Sequence, residues 1–167
     1  KEFVQTVLTS DDENRISIVV VPYNAQVNLG PTLSAKYNAQ HLHGVNNVNC
    51  LEIPASMYSV TGISRTTPLS MTAYADMDSY TDKVTEYVDQ ASTSRARMST
   101  AEPYCIASDK NIIRLPSNNV ATLQSQINGL TAIGATSINA GLKWGVTLLD
   151  PQSRGLMAAT GLMPATF

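Results

Sequence analysis

The chain has 167 residues, 43% of them hydrophobic and 14% charged, with a formal net charge of −2. That length supports one domain with a sizeable core, and without a Lys- or Arg-rich run to neutralise phosphates nothing points to nucleic-acid binding. No stretch of about 18 apolar residues is present to cross a bilayer, and the low charge fits an extracytoplasmic protein better than a cytosolic one.

Phe3, Val4, Val7 and Leu8 share one helical face at the start of the chain, so the spacing predicts a helix there. No capping signal precedes it, and the sequence is expected to open inside a helix of a larger domain. After the polar turn Ser10-Asp11-Asp12-Glu13-Asn14 comes "RISIVVVPY" at 15–23, a β-branched run that predicts a buried strand of the kind parallel sheets use. Pro22 stands at its end, where a missing N–H does least damage. "NAQVNLGPTL" at 24–33 reads as a loop. From 34 to 108 the pattern loosens into Ser, Thr, Asn, Tyr and Met, and a long irregular insertion is expected. Inside it, Met77, Tyr80, Val84, Tyr87 and Ala91 fall at helical spacing. They predict an amphipathic helix over 76–91 whose solvated face carries Asp76, Asp78, Asp82, Glu86 and Asp89.

Order returns at Asn111–Pro116, a short strand. Ser117 or Asn118 then caps a helix with Val120, Leu123, Ile127 and Leu130 on its apolar face, and Gly129 helps to end it. The loop Gly134-Ala135-Thr136-Ser137 leads into a helix over 137–149, where Ile138, Leu142, Val146 and Leu149 form one stripe and Asp150-Pro151 ends it. Gly141 and Gly145 each cost about 1 kcal/mol relative to Ala inside a helix, which implies that another backbone comes close. Trp144, the only Trp, is expected to be a core or half-buried aromatic.

Cys50 and Cys105 are the only cysteines. They are expected to form a structural disulfide, because both flank the same irregular region, with two independent thiols as the alternative; the bridge would contribute about 4 kcal/mol in the chain-entropy model and imply an oxidising compartment. His41 and His43 would share a face on a strand and could hold a metal, but a third ligand is not close in sequence, and such a pair also fits a solvated loop. No G-x-S-x-G, H-E-x-x-H or phosphate-cradling glycine loop occurs. The chain is therefore expected not to be an enzyme. A hydrolase using His41 or His43 is the remote alternative and requires an acid and a nucleophile beside the rings in a cleft. Thr136 and Ser137 supply hydroxyls at a helix start, which by themselves read as an N-cap.

"RISIVVVPYNAQVNLG", "LPSNN" and above all "INGLTAIGATSINAGLKWGVTLLDP" resemble the TadG-type proteins of bacterial tight-adherence (Flp) pilus systems, which carry a von Willebrand factor A-like domain. The resemblance covers about 1–33 and 109–153; "HGVNNVNCLEIPAS" is similar to the family's insertion. It implies an α/β, Rossmann-like doubly wound fold with a central, mostly parallel sheet. Residues 1–167 would form an incomplete A-like domain and 34–108 an insertion within it.

In that family a metal-ion-dependent adhesion site combines an Asp-x-Ser-x-Ser loop, a Gly-x-Thr loop and a Thr-Asp-Gly loop. Thr136 matches the Gly-x-Thr position. The acidic parts do not occur in these 167 residues, and the family places them before residue 1 and beyond residue 167. Thr136 is thus expected to bind Mg²⁺ or Ca²⁺ only in the complete domain, and no cofactor is expected here. The resemblance further implies a periplasmic or cell-surface protein, held to the membrane only by an anchor outside this chain. It would act in pilus assembly, anchoring or adhesion through protein partners such as pilus components. Alternatively, the domain is structural, its metal site unused, and it binds partners through the insertion.

Overall fold

Helix α1 (Glu2–Thr9) opens the chain and buries Val4, while Phe3 stays exposed. In the computed structural model the described residues are 1–42, 46–72, 105–106, 108–134 and 136–157, with the backbone of 75–78 and 83–87. Asp11 closes the turn after α1 by accepting the Ile16 N–H at 2.6 Å. Strand β1 (Ile18–Val20) follows and is half-buried.

Two further short strands, β2 (Ala39–Gln40) and β3 (Leu69–Ser70), pair in parallel. Strands β4 (Ala75–Asp78) and β5 (Lys83–Tyr87) pair antiparallel, Asp78 opposite Lys83. This corrects the helix expected over 76–91. Val84, Thr85 and Tyr87 are strand-favouring residues, and pairing satisfies the backbone groups that a helix would have satisfied internally. Of the residues expected on that helix, Tyr80, Asp82, Asp89 and Ala91 lie outside the described residues.

Strand β6 (Arg114–Ser117) pairs antiparallel with β1, Ile18 opposite Ser117 and Val20 opposite Arg114, with an irregular register between them. The β-branched run at 15–23 thus pairs antiparallel, not parallel. A β-branched run fixes neither the burial nor the pairing direction of its strand: β1 is half-buried where a buried strand is expected. Pro116 is tolerated because the sheet is two-stranded and irregular there. Among the described residues the strands form three two-stranded sheets, set among helices.

Helix α2 (Gly30–Ser34) starts at a glycine with φ +72° whose Cα faces Ile112, a Cβ there standing 3.0 Å from Ile112 Cδ1. Only glycine serves both demands without strain. Helix α3 (Val120–Asn128) is capped by Asn119, which accepts the Thr122 N–H at 2.8 Å; the cap lies just beyond the Ser117 or Asn118 expected. Gly129 ends it. Helices α4 (Ile138–Leu149) and α5 (Arg154–Met157) complete the described chain, joined by a 3-10 turn at Pro151–Ser153.

The core centres on α4. Trp144 is fully buried and meets Tyr37 edge to face, ring centroids 5.3 Å apart at 88°. Around them pack Val27, Leu29, Leu51, Leu69, Leu148 and Met157. Tyr37, Leu51, Ile63, Leu69 and Met71 all come from 34–72, so this part of the irregular stretch is interior to the same core as the two ordered ends.

The stripe Ile138, Leu142, Val146 and Leu149 exists but faces away from that core, with exposures of 59%, 64%, 46% and 68%. The buried face is Ala140, Gly141, Lys143, Trp144, Thr147 and Leu148. The helix is apolar on two sides, and the side holding the largest aromatic takes the interior.

The two α4 glycines differ. A Cβ on Gly141 would stand 2.6 Å from Tyr23 Cδ1 and 2.8 Å from its Cγ, whereas one on Gly145 meets nothing within 4 Å. Close approach therefore explains Gly141, through a side-chain ring rather than the backbone expected, and does not explain Gly145. Gly141→Ala should destabilise the chain by about 1–3 kcal/mol through overpacking near the rigid base of the Tyr23 ring. Gly145→Ala should stabilise it by about 1 kcal/mol. Urea titrations of the two variants check this; equal shifts would contradict it.

Candidate functional site

The loop that enters α4 meets the loop that leaves β1. Ser137 holds the N-cap position, and its N–H donates to the Asn24 carbonyl at 2.6 Å. Its hydroxyl donates to Asn139 Oδ1 at 2.6 Å and makes no capping bond to the backbone. Asn24 is itself buried, and its Oδ1 accepts the Gln26 N–H at 3.1 Å. Tyr23 lies over Gly141 one turn further along. A cleft of about 430 Å³ opens beside this junction, lined by Gln26, Glu52, Tyr58, Ser137 and Asn139.

Thr136 is exposed at the tip of this junction. Glu52 is the one carboxylate that lines the cleft, and Thr136 does not line it. Among the described residues no three His, Cys, Asp or Glu side chains come together as a metal group. A neutral hydroxyl does not offset the dehydration of Mg²⁺, which takes oxygen ligands that include carboxylates. The residues around Thr136 therefore do not fit a divalent cation by themselves.

His41 is exposed, has a left-handed backbone (φ 54°), and places Nδ1 3.2 Å from Ser70 Oγ. The contact follows from β2 and β3 lying side by side, with Gln40 opposite Ser70. No carboxylate bonds the ring among the described residues, so the acid that would complete a catalytic set beside His41 and Ser70 is not seen there. His43 lies outside the described residues.

Cys50 and Cys105 form a disulfide with Cα atoms 6.1 Å apart, both residues fully buried. Such a bond persists in oxidising compartments. Asn28 organises its surroundings. Its Nδ2 donates to the carbonyls of Asn47 (2.6 Å) and Ile106 (2.7 Å), and its Oδ1 accepts the Gly30 N–H at 3.0 Å. Its backbone bridges Cys50 and Ile112. No helix among the described residues is long and apolar enough to cross a membrane.

Lys143 is a functional-looking group that sequence reasoning missed. Its Nζ is buried against the carbonyls of Val60, Thr61 (3.0 Å) and Gly62 (3.4 Å). Burial lowers its pKa, and the nearby Asp150 carboxylate opposes that. Asp150 accepts the Gln152 N–H and the Thr61 hydroxyl, each at 2.8 Å; these bonds, with Lys143, hold its carboxyl below the ordinary range. The lysine thus pins the 60–62 segment onto α4. Its one readable signal is its place beside Trp144, on the helix face that the aromatic carries inward.

No family model, curated protein or solved structure matches the chain.

Proposed function

We propose that the chain is a non-enzymatic, extracytoplasmic domain that acts by protein–protein contact in the assembly, anchoring or adhesion of a tight-adherence pilus. The observation that carries the contact role is the exposed face of α4. Ile138, Leu142, Val146 and Leu149 line one side of the helix in solvent, and exposed Tyr58 and Val60 adjoin Leu142 and Val146 across a shallow groove. Apolar side chains scattered singly need no explanation, but a contiguous row marks a contact surface. The buried disulfide supports the compartment. The link to tight-adherence pili and to a von Willebrand factor A-like fold rests on the sequence resemblance.

A partner surface confined to the irregular 34–108 stretch is less favoured, because its 34–72 part supplies core residues. Tyr58 and Val60 join the α4 face as its contribution. A divalent-cation role for Thr136 would need carboxylates beside it, and the described residues form no such metal group.

The test is a Leu142→Lys/Val146→Lys variant. Both side chains are exposed, so the variant should fold. The immobilised wild-type chain should retain pilus components sheared from tight-adherence cells, identified by mass spectrometry, and the variant should bind them about tenfold or more weakly. Equal binding by the two, or no pilus component on the wild type, overturns the proposal.

A further inference from the structure

A second cavity, of about 210 Å³, opens between the Gly62–Thr66 loop and the start of α5, and Tyr37 forms part of its wall. Tyr37 is 6% exposed, and its buried hydroxyl has no hydrogen-bond partner among the described residues. A phenol taken out of water without an acceptor loses the bonds it had in solvent, so an unpaired one beside a cavity needs a reason. Arg65 stands on the rim of the same cavity, exposed, close enough to act electrostatically on the Tyr37 hydroxyl. It forms no ion pair among the described residues. Ile63 and Leu156 give the cavity an apolar side.

The rim is fixed rather than loose. Asn38, next in sequence to Tyr37, donates its N–H to the Arg65 carbonyl and its Nδ2 to the Thr66 carbonyl, both at 3.0 Å. Ser64 Oγ accepts the N–H groups of Thr66 and Thr67, each at 3.3 Å. Lys143 anchors the segment just before this loop through the carbonyls of residues 60–62. Asp150 caps the 3-10 turn that supplies Gln152 and Ser153 to the opposite wall. Asp150 also lies close to Gly62, but it is already engaged by Thr61, Gln152 and Lys143.

We propose that this cavity binds a small carboxylate with an apolar body, the carboxylate seated between the Arg65 guanidinium and the Tyr37 hydroxyl and the body against Ile63 and Leu156. The guanidinium fork matches a carboxylate in two parallel bonds, and the phenol, whose oxygen lies behind the cavity wall, adds a third donor when that wall yields to the ligand. Burial pushes the Tyr37 phenol up to about 12, against the pull of Arg65, so it remains a donor throughout the physiological range. No lysine lines the cavity beside Arg65, so the charge present suits a monovalent carboxylate better than a phosphate. The carboxylate can belong to a free branched-chain acid or to the C-terminus of a peptide ending in an apolar residue; the chemistry at Arg65 and Tyr37 is the same.

The experiment titrates the 167-residue chain with isovalerate, with its neutral isostere isovaleramide, and with a tripeptide ending in Leu as the free acid or the amide. Calorimetry or NMR reads the affinity. At least one acid should bind, with its amide about tenfold or more weaker. Preference for isovalerate assigns the site to a free acid, and preference for the peptide assigns it to a chain terminus. Tyr37→Phe removes only an unpaired hydroxyl, so it should melt no lower than the wild type yet bind about tenfold more weakly; Arg65→Gln should lose at least as much. Leu142→Lys/Val146→Lys should bind the acids unchanged, which separates this site from the α4 face. No binding of either acid up to about 10 mM, a limit well above the affinity of even a weak specific site, overturns the proposal. So does equal binding of acid and amide, or of wild type and Tyr37→Phe.

Discussion

Trp144→Ala should destabilise the chain by about 3–5 kcal/mol, the cost of truncating a large aromatic in a core that cannot collapse around the gap. Trp144 is fully buried, and the partners it would leave come from distant parts of the chain: Tyr37 meets its ring, and the core cluster around it draws on 27–29, 51–71 and 148–157. The midpoint of thermal unfolding, followed by circular dichroism because the only Trp is gone, should fall by roughly 2–4 °C for each kcal/mol lost. Trp144→Phe separates volume from polarity. The indole Nε1 is buried without a hydrogen-bond partner in the protein, so the change removes an unpaired donor and keeps most of the ring. It should cost well under half as much as the Ala variant. Equal losses for the two would show that the indole nitrogen, not the ring, holds the site together.

Removing the disulfide should cost a similar amount. The cysteines are 55 residues apart in sequence, and closing a loop of that span removes about 4 kcal/mol worth of freedom from the unfolded chain, within the usual range of roughly 2–5. Cys50→Ala/Cys105→Ala is the suitable variant, because both positions are fully buried and a serine hydroxyl there would add a cost of its own. The variant and the reduced wild type should show matching denaturant midpoints. Mass spectrometry of the unreduced wild type should find the Cys50 and Cys105 peptides joined. A variant as stable as the oxidised wild type would contradict the assignment of the bond as a structural brace.

The places of α1, α3 and α4 are legible in the sequence because each has an apolar repeat near the helical period and a recognisable end. The face of α4 that goes inside is not. Ile138, Leu142, Val146 and Leu149 keep a more regular spacing than the buried Ala140, Trp144, Thr147 and Leu148. Periodicity counts apolar positions and ignores volume, so the side with one Trp and a Lys lost the comparison. Lys143 was unreadable for a related reason. A lysine can bury its stem and still satisfy its ammonium, but the carbonyls that accept it lie more than 80 positions away in sequence.

Separation in sequence also hid the proposed carboxylate site, where Tyr37 and Arg65 come from unremarkable stretches that Asn38 ties together across 28 positions. The disulfide could be framed as a choice from two cysteines alone, and the fold resolves it. Thr136 was named from resemblance; it stands exposed at a helix start, and among the described residues no group of three metal-ligating side chains forms.

Asn28 doubles the link that the sulfur–sulfur bond makes. One side-chain amide group grips the carbonyls of Asn47 and Ile106, which lie just before one cysteine and just after the other. These bonds need no oxidant. The same two stretches are therefore tied twice, once through sulfur and once through an amide that no reductant touches.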